Sequence, residues 1–128
     1  MHFERLESSE GTIIDGLCLM IPQKYEDERG FFCESWNKKI FDSTVESKIN
    51  FVQDNQSKSY YGVLRGIHYQ INPMPQSKLI RCIKGEIFDI AVDIRRNSKT
   101  FGKWAGTILS KENMKQFWIP NGFAHGFL

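Results

Sequence analysis

His68 is the residue of this chain best suited to take a proton. A free imidazole titrates at about 6.5, so near neutral pH it is a competent general base. It sits in Gly62-Val63-Leu64-Arg65-Gly66-Ile67-His68-Tyr69-Gln70, a stretch otherwise built as a half-buried strand. Arg65 adds a permanent cation three positions earlier, an odd spacing that puts the two on opposite faces of an ideal strand. Only a bulge at Gly66 turns both toward one cavity. Lys78 shares the face of Ile80 and Cys82, where an ammonium can steady a developing enolate oxygen. His125 stands among Phe123, Ala124 and Phe127 after a tight turn. Each has a plainer reading, as a satisfied core histidine or a surface lysine. Arg29 and Glu34 read alone as a surface ion pair of little worth. Tyr25 offers a ring for a flat base, and Gln53 and Asn55 lie near a turn.

Other chemistries find little support. His68 and His125 can meet in a barrel, but the position two after His68 is Gln70, leaving too few ligands for a transition metal. Three cysteines, odd in number and without C-x-x-C spacing, argue against a disulfide framework. A net charge of +2 with no basic block gives no reason to expect nucleic acid. No apolar run is long enough for a membrane span or a signal segment, so the chain reads as cytoplasmic.

The elements that must position these residues are mostly strands. Thr12 to Ile21 is β-prone, with Asp15-Gly16 as a turn in its middle. Phe31 to Trp36 follows a charged loop, and Phe51-Val52-Gln53 precedes a turn at Asp54–Ser57. Asn37 caps a short helix through Val45, striped by Ile40, Phe41 and Val45. After a turn at Lys84-Gly85, Phe88, Ile90, Val92 and Ile94 alternate with Ile87, Asp89, Ala91 and Asp93, giving one apolar and one mixed face. Trp104–Leu109, Gln116–Ile119 and the segment from Phe123 complete an all-β pattern with one or two short helices. Short strands between Gly, Asn, Asp and Pro turns indicate an antiparallel sandwich or barrel.

Six blocks carry a more specific likeness. Asp27-Glu28-Arg29-Gly30-Phe31-Phe32-x-Glu34-Ser35, Phe51-Val52-Gln53-Asp54-Asn55-x-Ser57, Val63-Leu64-Arg65-Gly66-Ile67-His68-Tyr69-Gln70, Lys78-Leu79-x-Arg81, Gly85-Glu86-x-Phe88-Asp89 and Trp118-Ile119-Pro120-x-Gly122-Phe123-Ala124-His125-Gly126-Phe127 resemble the dTDP-4-dehydrorhamnose 3,5-epimerase family. The resemblance implies a cupin-type antiparallel jelly roll, a homodimer that uses neither metal nor cofactor. Its substrate is a dTDP-4-keto-6-deoxy sugar, inverted at C3 and C5 on the route to dTDP-rhamnose. By resemblance His68 is the base and Lys78 the cation at the enolate oxygen. Arg29, Arg65 and His125 bind substrate, with Glu34, Gln53 and Asn55 beside them. Tyr25 packs on the thymine, reaching into the partner subunit, and Asp89 supports Lys78.

One departure matters and a second is minor. The family's proton-donating tyrosine, and the aspartate paired with its histidine, lie beyond the segment matching His125. The expectation is therefore a single cupin-like domain over 1–128 with its C-terminal part missing, holding the base without the acid and epimerising little alone. Ser77 stands where a glycine is common before the lysine. The competing readings are a non-catalytic nucleotide-sugar-binding cupin and a metal-dependent cupin.

Overall fold

A computed structural model describes the whole chain, residues 1–128. Its elements are β1 (His2–Glu7), β2 (Ile13–Ile21), β3 (Lys24–Asp27), β4 (Gly30–Cys33), α1 (Lys38–Thr44), β5 (Arg65–His68), β6 (Lys78–Arg81), β7 (Glu86–Asp93), β8 (Trp104–Ser110), β9 (Gln116–Ile119) and β10 (Phe123–Phe127). They build two four-stranded antiparallel sheets, ordered β1-β2-β9-β6 and β5-β10-β7-β8, plus the separate hairpin β3-β4. The sheets face each other across one core. Leu6, Ile14, Leu17, Leu19, Phe117 and Ile119 come from or beside the first sheet, and Ala91, Ala105, Leu109 and Phe123 from the second. The period of two puts Cys18, Met20 and Trp118 on the other side of the first sheet. There Met20 and Trp118 bury against Phe41 of α1. No helix is long and apolar enough to cross a membrane.

The helix forms where its cap predicts. The Asn37 side chain accepts a hydrogen bond from the Ile40 N–H, and Val45 closes the C-terminal end. Phe41 is fully buried, while Ile40 stays largely exposed. It is the only helix.

Several expectations need correction. Asp15-Gly16 makes no turn: β2 runs through it, with Gly16 at φ +100° and a Cβ there only 3.1 Å from Pro120 Cγ. The strand expected over Phe31–Trp36 stops at Cys33, because its pairing partner β3 is only four residues long. Phe51-Val52-Gln53 forms no strand, and Asp54–Ser57 no turn. Phe51 finds aromatic partners in place of a ladder, packing on Trp36, Phe41 and Trp118. The alternation in β7 is present with its faces reversed from the simple rule. The mixed face is the inward one: Asp89, Ala91 and Asp93 are fully buried, while Phe88 is 40% exposed. Two carboxylates inside a core must be paired there.

Asp93 meets that need through a dense local network. It accepts hydrogen bonds from Arg95 Nε at 2.9 Å, Arg95 Nη2 at 2.7 Å, Ser98 Oγ at 2.6 Å and Thr100 Oγ1 at 2.7 Å. Arg95 also donates to the Asp15 carbonyl and lies 4.6 Å from the Phe123 ring centroid. The β7–β8 connection is thereby tied to both sheets. Burial alone raises the Asp93 pKa, but the hydrogen bonds from Arg95, Ser98 and Thr100 outweigh it and hold the carboxyl far below its ordinary value. A depressed folded-state pKa contributes stability that is complete above the unfolded value and drains away as pH falls. The protein should therefore lose stability below about pH 4. Asp93→Asn should cost about 3 kcal/mol at neutral pH and flatten that acid limb, as urea melts across the pH range will register.

Candidate active site

The site grows from the pairing of β5 with β10. Their register sets His68 opposite His125 and Arg65 opposite Phe127. Three residues on β5 thus span two on β10, which is the β-bulge that Gly66 was expected to supply. A Cβ on Gly66 would stand 2.7 Å from both the Gly126 Cα and the His125 carbonyl oxygen, and its φ is +120°. Only glycine lets the two backbones approach this closely. The imidazole rings of His68 and His125 then meet edge to face, with centroids 5.3 Å apart and planes at 82°.

β7 carries the carboxylate beneath them. It pairs with the other edge of β10, putting Ala91 opposite His125 and Asp89 opposite Phe127. His125 Nε2 donates to both Asp89 oxygens, at 2.9 and 3.0 Å. Both side chains are buried, and His125 Nδ1 has no partner. Asp89 was expected to support Lys78; its oxygens are engaged by His125 instead. Burial pushes the Asp89 carboxyl up, while the bond from His125 and the His125 and His68 charges oppose that. The alternation along β7 did contain the signal, since it placed Asp89 and Asp93 on one face. What it lacked was the partner's identity.

Lys78 approaches from the other sheet. As the first residue of β6 it pairs with Ile119, and Ile80 pairs with Phe117. Ile80 packs on the central core, so Lys78, two residues before it, faces inward too. Burial lowers its pKa. His68, exposed like the rest of β5, is shifted down as well, first by desolvation and then by the His125 and Lys78 charges, with Asp89 opposing. Both shifts favour the neutral forms of the two side chains.

The remaining candidates stand apart from this cluster. Tyr25 and Arg29 lie on the exposed β3–β4 hairpin, in an open recess of about 450 Å³ formed by hairpin residues alone. Arg29 pairs with Asp27, at 2.6 Å from Nη2 to Oδ2, and not with Glu34. Glu34 accepts from Asn37 Nδ2 at 3.1 Å, beside the helix cap. Gln53 Nε2 donates to Asn55 Oδ1 at 3.2 Å. Arg65 is held by Ser59 Oγ and the Lys58 carbonyl. No three His, Cys, Asp or Glu side chains are grouped closely enough to hold a metal ion.

Two facing antiparallel sheets, with a histidine pair and a buried carboxylate on one of them, define a cupin-type jelly roll. The chain belongs to the dTDP-4-dehydrorhamnose 3,5-epimerase family, whose profile it matches over residues 11–128. It is 59% identical over 116 residues to a dTDP-4-dehydrorhamnose 3,5-epimerase of Shigella flexneri, covering 91% of this chain and 64% of that one. A crystal structure of a dTDP-6-deoxy-D-glucose-3,5-epimerase from Legionella pneumophila, in complex with dTDP-4-keto-L-rhamnose, superposes with a TM-score of 0.86 at 51% identity. That match covers 98% of this chain and 64% of the Legionella chain. The Mycobacterium tuberculosis epimerase superposes with a TM-score of 0.91 at 34% identity, over 100% of this chain and 61% of its own. The chain thus spans somewhat under two thirds of the length of these relatives.

Proposed function

We propose that this chain carries the proton-abstracting centre of an epimerase acting on dTDP-4-dehydro-6-deoxy-D-glucose, on the way to dTDP-4-dehydro-L-rhamnose. The observation that carries the reading is His68 opposite His125 in register, with Lys78 facing them from the other sheet. C3 and C5 of such a sugar are both alpha to the C4 ketone. His68 takes the proton from one of them, and the C–H electron pair moves into an enolate with its negative charge on the C4 oxygen. The desolvated Lys78 ammonium donates to that oxygen, where a low-dielectric setting strengthens the contact. Return of a proton to the opposite face inverts the centre. The ketone is the electron sink, so the chemistry asks for no cofactor.

In this reading His125, fixed through Nε2 by Asp89, offers its unpartnered Nδ1 to a sugar hydroxyl. Arg65, Arg29, Gln53, Asn55 and Glu34 bind the nucleotide sugar, and Tyr25 stacks on its base. The exposed hairpin bearing Tyr25, Phe31 and Phe32 suits a homodimer in which it reaches a second copy. Three free cysteines suit a reducing, cytoplasmic setting. The test is proton NMR of the keto sugar in heavy water with and without the protein. Loss of the C3 or C5 signal is expected. Binding without exchange would overturn the enzymatic reading in favour of a nucleotide-sugar-binding cupin.

A further inference from the structure

Lys78 makes no hydrogen bond through its own side chain, and the strand that bears it is weakly held. β6 is an edge strand of four residues, paired only with β9. Before it runs the irregular stretch from Tyr69 through Pro73 and Pro75. Ends of short edge strands fray, so the first residue is the worst place to fix a charge unless something holds the backbone just before it.

Something does. Ser77 Oγ donates to Asn121 Oδ1 at 2.7 Å, across 44 residues of sequence. Asn121 belongs to the turn between β9 and β10, where the chain passes from one sheet to the other. That turn is itself anchored. The Ile94 N–H donates to the Gly122 carbonyl at 3.1 Å. A Cβ on Gly122 would stand 2.5 Å from Arg95 Cγ, so this glycine packs directly on the arginine clamped by Asp93. The load path runs from the Asp93 network through Gly122 and Asn121 to Ser77, one residue before Lys78. His125 follows three residues after Gly122 on the same turn's far side.

We infer that Ser77 and Asn121 are positioning residues, a polar clasp between the sheets that fixes Lys78 in its inward setting opposite His68. The role in catalysis rests on the reading of Lys78 given above, but the clasp itself is testable without substrate.

The experiment follows the Lys78 amine by its rate of acylation with acetic anhydride against pH, resolved by residue with mass spectrometry. Loss of the clasp lets the ammonium swing into water, so Ser77→Ala and Asn121→Ala should each move its midpoint up toward the ordinary lysine value of about 10.4. The double variant should move it no further, because both changes remove one bond. Ser77→Thr, which keeps the hydroxyl, should hold the wild-type midpoint. In the heavy-water assay the alanine variants should exchange about tenfold more slowly with KM unchanged. An unchanged Lys78 midpoint in both alanine variants overturns the clasp. Absence of exchange in the wild type overturns the proposed function instead, and the amine titration still decides the clasp.

Discussion

Replacing His68 with asparagine should slow proton exchange at the sugar by about a thousandfold, while affinity for the dTDP sugar stays within about threefold. Asparagine keeps a planar polar group of similar reach but has no basic nitrogen. A general base is worth about two to four powers of ten, or about 4 kcal/mol of barrier at the middle of that range. His68 is exposed, and its neighbours are matched by backbone register and not by its own side-chain bonds. The substitution should therefore leave the melt within about 0.5 kcal/mol, as surface changes usually do. Calorimetry with the sugar nucleotide separates lost binding from lost chemistry. A variant that binds and still exchanges would remove His68 from the base position.

Gly66→Ala should do more structural damage than any other single methyl added in this region. The new Cβ meets backbone on two sides, 2.7 Å from the Gly126 Cα and from the His125 carbonyl, and neither can rotate away. The residue must also hold φ near +120°, where a side chain is strained. Overpacking and backbone strain together should cost about 3 kcal/mol. The relief open to the chain is to lift β5 from β10, and that carries His68 away from His125. Exchange should fall with stability, and calorimetric melts and backbone amide exchange of β5 will report the separation. Gly62 is the control. It too has positive φ, +79°, but a Cβ there meets nothing within 4 Å, so Gly62→Ala should pay only the backbone term and leave the site intact.

The bulge is the clearest case of a feature legible in sequence. An odd spacing between Arg65 and His68, with a glycine between them, calls for a bulge, and the register of β5 against β10 shifts there. Asn37 as a helix cap was legible for the same reason: one residue type satisfies one local need. What failed was anything depending on a distant partner. Period two in β7 separates two faces but cannot say which is inward, and the less apolar face proved to be the core side. Its carboxylates are tolerable there only because His125 lies 36 residues away on the next strand and Arg95 folds back onto Asp93. Phe51 looked like the start of a strand because aromatics favour strands, yet it serves as a wedge against Trp36, Phe41 and Trp118. Ser77 read as a minor change, since nothing near it in sequence reveals Asn121. In this chain, then, local steric demands are written in local residues, while polar pairing across the sandwich is not.

As the proposed base, His68 has its pKa lowered by desolvation and by the His125 and Lys78 charges, with Asp89 opposing them. A lowered folded-state pKa means that the base form is fully present at neutral pH. It also means that the acid limb lies below the ordinary imidazole value of about 6.5. The most direct measurement is the rate of deuterium uptake at C3 and C5 of the keto sugar as a function of pH. The prediction is a level rate at and above neutrality, falling through a single titration on the acid side of that value, and absent in His68→Asn. A titration above the ordinary imidazole value, or an exchange rate indifferent to pH, would contradict it.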